Sequence, residues 1–216
     1  YQDILNEDIE SVILADKLGF QEAFFGEHFT DLAEPITSSL MFIARLAPVT
    51  TNIKLGSGVT NLPSYHPAMI AGHVAMMDNM LDGRFIWGIG PGGLPSDIEI
   101  FGNREIDRNL KMVECFEQVM ELWWGEAPYN LKGDFYTGST EITFTPEIGQ
   151  GIVPKPLHNP HPPIVVSALA PYSQGITLAA ERDWHPISCQ YVQAHWVKTH
   201  LPKYLEGLAN AGKEPD

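Results

Sequence analysis

Ile53-Lys-Leu-Gly-Ser-Gly-Val-Thr-Asn-Leu-Pro63 has the pattern of a buried strand that runs directly into a glycine-bearing turn. Gly83-Arg-Phe-Ile-Trp-Gly-Ile-Gly-Pro-Gly-Gly93 repeats that arrangement, and the segment from Pro67 to Leu81 between them has helical spacing. Strand, turn, helix and strand in this succession are typical of a parallel α/β fold. Glycines at the carboxyl ends of strands let the backbone approach a planar or anionic ligand, and α/β folds bind cofactors at that edge. The sequence therefore predicts a cofactor-dependent enzyme.

The composition is that of an acidic globular protein. The 216 residues carry 27 acidic and 13 basic side chains, a formal net charge of −14. Nucleic acids and anionic membranes require clustered Lys and Arg, so we expect neither as a partner. No apolar run approaches the ~20 residues of a membrane span, and no signal peptide is visible. Cys115 and Cys189 form no CxxC motif and are expected to be free thiols, so we predict a cytoplasmic protein.

The number of strands indicates a barrel. Strands that each feed a helix are predicted near Ala23, Ile53, Phe85, Ile164 and Trp184. A TIM (β/α)8 barrel takes about 250 residues, and the pattern here begins and ends within the repeat. We therefore expect an α/β TIM barrel that is incomplete at both ends and forms a single domain over residues 1–216. A doubly wound sheet of five strands is the alternative.

Four further elements are predicted from local pattern. Helices are expected over Ile36–Leu46, Asp107–Trp124 and Tyr191–Ala211. An excursion from the barrel is expected at about residues 126–162, where the β-branched patch Glu141-Ile-Thr-Phe-Thr145 predicts extended chain.

The glycine loop has the spacing Gly88-x-Gly90-x-x-Gly93, which matches the dinucleotide-binding fingerprint. That fingerprint needs a helix that begins at once, with its N-terminus on a pyrophosphate. Leu94-Pro95-Ser96 follows instead, so the pattern favours a glycine loop over the edge of a flat ring, with a Rossmann site as the alternative.

Two other segments carry candidate chemistry. Glu27-His28 follows a short buried strand, which in a barrel places His28 at the catalytic mouth as an acid–base group; a structural histidine at the strand end is the alternative. Ser167-Ala-Leu-Ala-Pro-Tyr-Ser-Gln-Gly175 offers free N–H groups at a helix N-terminus for a phosphate, unless its serine is an ordinary N-cap. His158 and His161 lie among prolines without further ligands at suitable spacing, so no metal site is predicted.

Taken together, these residues resemble the bacterial luciferase-like flavin monooxygenases. The resemblance covers nearly the whole chain, and the limonene and diketocamphane monooxygenase branch is nearest in its motifs. It rests on Gly26-Glu-His28, Leu55-Gly-Ser-Gly-Val-Thr-Asn-Leu-Pro63, His66-Pro67, Gly83-Arg-Phe85, Gly88-Ile-Gly-Pro-Gly92, Phe101-Gly102, Pro154-Lys-Pro156, His161-Pro-Pro-Ile164 and Tyr172-Ser173.

The resemblance implies roles for particular residues. His28 matches the family's catalytic histidine, and Gly58-Val59 matches a non-proline cis peptide beneath the flavin ring. Gly90 stands where luciferase has a reactive cysteine, which argues against light emission and long-chain aldehyde chemistry. The implied cofactor-binding set is Ser57, Gly58, Val59, Asn61, Gly90, Pro91, Gly92, Tyr172, Ser173 and Gly175, and the apolar residues expected to exclude water are Phe25, Phe29, Leu62 and Trp87.

The resemblance also implies the reaction. A separate flavin reductase would supply reduced FMN, and O2 would oxidise a small apolar substrate of the terpene or cyclic ketone class through a C4a-peroxyflavin, with His28 as the acid–base group. A homo- or heterodimer is implied as well. Two alternatives stay open: a dehydrogenase on the same barrel that uses coenzyme F420 or a flavin, and a non-catalytic flavin-binding relative.

Overall fold

The structure is a computed structural model that describes residues 1–189 and 191–215. The strands, in chain order, are β1 (Glu22–Phe25), β2 (Lys54–Ser57), β3 (Thr60–Asn61), β4 (Phe85–Gly90), β5 (Asn130–Lys132), β6 (Thr137–Ser139), β7 (Ile164–Ala168) and β8 (His185–Ser188). The helices are α1 (Gln2–Lys17), α2 (Ser39–Leu46), α3 (Pro67–Met80), α4 (Pro95–Ile100), α5 (Arg108–Trp124), α6 (Gln174–Glu181), α7 (Ala194–Val197) and α8 (His200–Asn210).

The main sheet is parallel and curls into a half-barrel. Its strand order is β1-β2-β4-β7-β8, and β3 adds a second parallel pairing to β4. The order follows the chain without the reversal that a doubly wound sheet requires, so that alternative is wrong. The predicted parallel α/β barrel architecture is confirmed.

Strand β4 separates the helix side of the sheet from the barrel side. The indole ring of Trp87 packs 6.0 Å from the ring of Phe116 and 5.5 Å from that of Trp123, both on α5. Successive side chains of a strand point to opposite faces, so Gly88 and Gly90 face the barrel interior. Trp87 is therefore a core residue between sheet and helices, and its expected role in excluding water from the mouth is wrong.

One carboxylate joins the end of α1 to the start of β2. Asp16 accepts hydrogen bonds from the backbone N–H groups of Thr51 (2.7 Å), Asn52 (3.0 Å) and Ile53 (2.8 Å). These bonds stabilise the charged form, and they lower the pKa of Asp16 to about 2 against the opposing effect of partial burial.

The predicted helix Tyr191–Ala211 is wrong as a single element, because the structure has α7 and α8 separated at Lys198–Thr199. A helix through this region would place Pro202 in its interior, where the ring lacks an N–H and clashes with the carbonyl four residues earlier. The break puts Pro202 in the first turn of α8, where N–H groups have no partner within the helix.

Two other local predictions need correction, and one short helix was not predicted. The Glu141–Thr145 patch is not a strand: Ile142 is 98% exposed, and β-branched residues favour strands only where they pack. The antiparallel pair of the excursion is β5 with β6.

Helix α2 begins at Ser39 rather than Ile36, because the Ser38 hydroxyl accepts a hydrogen bond from the Met41 N–H (3.3 Å) and caps it. Helix α4 was not predicted, although Pro95 opens it at a favourable position.

Candidate active site

Four loops meet at the carboxyl edge of the parallel sheet. They follow β1, β2, β4 and β7, whose carboxyl ends lie on one side because the strands are parallel. A Cβ built on Gly26 would lie 3.6 Å from the Gly58 carbonyl oxygen, and one built on Gly93 would lie 3.9 Å from Leu169 Cδ1. The loop after β1 thus contacts the loop after β2, and the loop after β4 contacts the loop after β7.

The segment between β2 and β3 packs tightly on the glycines of β4. The Gly58–Val59 peptide bond is cis, which confirms the expectation for this position. A Cβ on Gly88 would lie 1.8 Å from the Ser57 carbonyl oxygen, and one on Gly90 would lie 2.5 Å from Val59 Cγ2. Packing between the strands therefore requires both glycines, because the Ser57 carbonyl and the Val59 side chain occupy the barrel side of β4 at these two positions.

The hydroxyl of Ser57 is part of the sheet. It donates to the Gly88 carbonyl (2.8 Å) and accepts from the Gly88 N–H (2.9 Å). Ser57 was expected among the cofactor-binding residues, but the hydrogen of its hydroxyl is donated to Gly88 and joins β2 to β4.

His28 lies between two carboxylates at the mouth. Its Nε2 is 2.9 Å from Glu34 Oε2, and its Nδ1 is 3.7 Å from Asp97 Oδ2. Asp97, on α4, accepts hydrogen bonds from the backbone N–H groups of Phe29 (3.0 Å) and Thr30 (2.9 Å), which fixes the chain after His28. The buried Nδ1 atom has no hydrogen-bond partner within residues 1–189 and 191–215.

Glu27 is a buried residue of the site that the sequence analysis did not single out. Its side chain accepts hydrogen bonds from the Ser39 N–H (3.1 Å) and hydroxyl (2.9 Å) and from the Asn61 N–H (2.8 Å). Burial raises the pKa of Glu27, and these hydrogen bonds partly offset the increase. A carboxylate directly after an apolar strand was the available signal.

Asn61 and Arg108 fix the loops around the glycines of β4. Asn61 Nδ2 donates to the Glu27 carbonyl (3.1 Å), so part of this expected cofactor residue is engaged within the protein. Arg108, in the first turn of α5, donates to the carbonyls of Pro91 and Gly92. The glycine at position 92 has a φ of +73°, a conformation that favours glycine. Arg108 was also missed, although it directly follows the predicted helix start at Asp107.

The loop after β7 contains the remaining predicted residues. Ser173 precedes α6, but its hydroxyl makes no cap hydrogen bond, so the ordinary N-cap alternative is wrong. Tyr172 has a φ of +54°, and its N–H donates to Thr199 Oγ1 (2.9 Å). Gly175 lies in the first turn of α6.

Aromatic packing and a cavity surround the mouth. The ring of Phe29 packs edge-on to Phe101 at 4.6 Å. A cavity of about 540 Å³ lies between α1 and β1, with His28 and Glu34 in its wall. Over residues 1–189 and 191–215, no group of three His, Cys, Asp or Glu side chains could hold a metal ion. No helix in that same part of the chain is long and apolar enough to cross a membrane.

Comparison with known proteins adds to this geometry. Residues 2–216 match the family model described as luciferase-like monooxygenase. Limonene 1,2-monooxygenase from Rhodococcus erythropolis is 39% identical over 133 residues, which are 62% of this chain and 34% of the relative. A solved relative from Pseudomonas putida is the oxygenating constituent of 3,6-diketocamphane monooxygenase, a type II Baeyer-Villiger enzyme in complex with FMN. It is 26% identical, with a TM-score of 0.88 over 100% of this chain and 60% of its own.

A further solved structure shares the fold alone. It is an F420-dependent secondary alcohol dehydrogenase, 23% identical, with a TM-score of 0.77 over 98% of this chain and 62% of its own. The chain spans about half the length of the curated relatives that it matches.

Proposed function

Because the chain belongs to the luciferase-like monooxygenase family, we propose that the protein is a two-component flavin-dependent monooxygenase. It uses reduced FMN and O2 to oxidise a small apolar substrate of the terpene or cyclic ketone class. Residues 1–216 form one barrel domain, with the excursion at about 126–162. The FMN complex of the diketocamphane relative and the name of the limonene relative support the cofactor and the substrate class.

One observation carries the proposal. The Nδ1 atom of His28, in the loop after β1, is buried 3.7 Å from Asp97 Oδ2 on α4, and within the described residues nothing hydrogen-bonds to it. Buried polar atoms in native proteins almost always have a partner. An unpaired imidazole nitrogen in a loop that contacts the glycine-bearing loop after β2 supports a site for a bound ring and a reacting oxygen.

The residues present fit FMN. The backbones of Gly58, Val59 and Gly90–Gly92 would hold the flavin ring, since backbone atoms can contact the ring without a side chain. Ser173 and Gly175 would hold the phosphate through their N–H groups and the uncapped Ser173 hydroxyl. Tyr172, whose N–H is donated to Thr199 Oγ1, would contribute through its phenol hydroxyl. Arg108, which contacts the Pro91 and Gly92 carbonyls, adds positive charge near the ring in a chain whose net charge is −14.

His28 is suited to move a proton at the reacting oxygen. Reduced FMN, when bound, would supply two electrons to O2, so that one oxygen atom enters the substrate and the other leaves as water. Because the Glu34 carboxylate only accepts hydrogen bonds, Nε2 of His28 carries a hydrogen toward it. The free Nδ1 can then accept a proton or, once protonated, donate one.

A flavin reductase is the proposed partner, because the solved relative is the oxygenating constituent of its enzyme. The homo- or heterodimer implied by the resemblance stays a prediction.

Anaerobic titration of the full-length protein tests the cofactor. We expect photoreduced FMN to bind, and reduced F420 to bind more weakly. Admitting air in the presence of limonene or a bicyclic ketone should then give an oxygenated product. Reduction of F420 by an alcohol, with no oxygenated product from FMN, would instead identify a dehydrogenase. FMN binding without a product from any substrate of these classes would indicate a non-catalytic relative.

A further inference from the structure

The break between α7 and α8 brings a polar pair beneath the loop after β7. Thr199 and His200 stand at this break, and their side chains contact the backbone of residues 170 and 172. Neither residue belongs to the site as predicted from the sequence.

His200 holds the loop from inside the protein. It is 6% exposed, with Nε2 3.0 Å from the Ala170 carbonyl oxygen and Nδ1 2.8 Å from the Ser188 hydroxyl. Since a carbonyl oxygen only accepts hydrogen bonds, Nε2 carries the hydrogen. The neutral ring then accepts from Ser188 at Nδ1, so both nitrogens are used and the ring orientation is fixed.

Thr199 holds the next part of the loop. Its Oγ1 accepts a hydrogen bond from the Tyr172 N–H (2.9 Å) and donates to the Trp196 carbonyl (2.6 Å). Tyr172 has a φ of +54°, which a non-glycine residue adopts only when its surroundings hold it there. Thr199 is the side chain that bonds this residue's N–H.

Close helix packing fixes the pair relative to α6. A Cβ on Gly207 of α8 would lie 2.3 Å from the Thr177 carbonyl oxygen of α6, so the two helices approach with almost no side chain between them. The Thr177 hydroxyl also donates to the Lys203 carbonyl (3.2 Å). Helix α8, which begins with the residue that contacts the Ala170 carbonyl, is therefore packed closely against α6.

We propose that Thr199 and His200 are positioning residues for the anion-binding loop after β7. By fixing the backbone of Ala170 and Tyr172, they direct the N–H groups of residues 173–175 and the Ser173 hydroxyl toward the phosphate of the flavin nucleotide. The inference rests on the proposed function, in which FMN binds with its phosphate at this loop.

The roles of Thr199 and His200 can be tested by the ratio of the affinity for reduced FMN to the affinity for reduced riboflavin. The two ligands differ only in the phosphate, so the ratio reports on phosphate binding. Thr199→Val keeps the side-chain shape and removes the hydroxyl. We expect it to weaken FMN binding about 3- to 10-fold, the scale of one hydrogen bond, and to leave riboflavin binding unchanged. Thr199→Ser should restore the ratio. Thr140→Val is the matched control, because Thr140 Oγ1 likewise accepts a backbone N–H, that of Tyr129 (2.9 Å), in the excursion away from the loop.

His200→Leu tests the second contact against His200→Gln, whose amide can still donate to the Ala170 carbonyl. The leucine variant should lower the ratio and the glutamine variant should retain most of it. If the leucine variant does not fold, the Thr199 series decides.

Three results would contradict the inference. Equal losses of FMN and riboflavin affinity in Thr199→Val would show a general structural role. An unchanged ratio in that variant, with a phosphate preference in the wild type, would overturn the inference and leave the proposed function standing. A wild-type ratio near one would show that the phosphate adds nothing to binding, and would overturn the inference together with the phosphate site of the proposed function.

Discussion

At the scale of single residues, the account depends most on His28. His28→Ala should leave binding of reduced FMN within a few-fold, because a ring held by backbone does not need the imidazole. Substrate turnover should fall by about 10² or more, the usual effect of removing a general acid–base group. Single-turnover product yield and flavin fluorescence measure the two quantities separately.

His73→Ala is the control for that variant, because His73 is an exposed histidine on α3. It should match the wild type in both measurements. Near wild-type turnover in His28→Ala, together with a collapse of flavin binding, would make His28 a structural or cofactor-holding residue.

Two glycines allow a paired test of the packing argument. Gly88→Ala places a methyl group 1.8 Å from the Ser57 carbonyl oxygen, and such overpacking costs about 1 to 3 kcal/mol. Gly72, within α3, has nothing within 4 Å of its Cβ position, so Gly72→Ala should stabilise by about 0.5 to 1 kcal/mol. Denaturant unfolding measures both changes, and equal effects of the two substitutions would refute the packing argument.

Some residues of the site could be predicted from local sequence, and others depend on contacts between distant parts of the chain. His28 and the glycines of β4 could be predicted because each directly follows or lies within a recognisable strand. Asp97, which fixes the chain after His28, could not be predicted, since its partners lie 67 and 68 positions away in the sequence. Ser57 was in the predicted set, but its hydroxyl bonds Gly88, a contact that follows from strand pairing rather than from motif.

At the scale of elements, Asp16 ties α1 to the start of β2. Asp16→Asn should lower the free energy of unfolding at pH 7 by about 1 to 2 kcal/mol, because charged acceptors of backbone N–H groups contribute on this scale. The folded-state pKa of about 2 lies below the ordinary 3.8. The carboxylate therefore stabilises the fold above pH ~4 and loses this effect as the pH falls through about 2.

The Asp16 prediction is measured by urea unfolding of wild type and variant between pH 2 and pH 7. The difference between the two proteins should shrink toward the acid end. Glu10→Gln, which removes an exposed charge from the same helix, is the control and should have little effect. A difference that does not change with pH would contradict the assigned role of the charge.

The elements show where pattern succeeds and where it fails. Buried β4 was predicted because a parallel strand is apolar on both faces. The division into α7 and α8 is not evident from the pattern because helical spacing continues across it, and Pro202 is the one local sign of the break. The extended patch at 141–145 failed because strand propensity requires a packing partner, and Ile142 has almost none.

At the scale of the whole molecule, the order of strands followed from chain order. Each strand is joined to the next parallel strand through a helix or a longer crossover connection, and such connections place sequential strands side by side. The substrate could not be predicted in the same way. Its contacts depend on which side chains surround the mouth, and neither strand periodicity nor glycine spacing encodes them.

The proposed function requires that this site transfer one atom of O2 to an organic substrate. Its most direct test is a single turnover of the full-length protein with reduced FMN, ¹⁸O2 and a terpene or bicyclic ketone, followed by mass spectrometry of the product. We expect one ¹⁸O atom in each product molecule, and no labelled product when the substrate is incubated with reduced FMN and ¹⁸O2 without protein. A product that carries no ¹⁸O, formed at the same rate without oxygen, would contradict it.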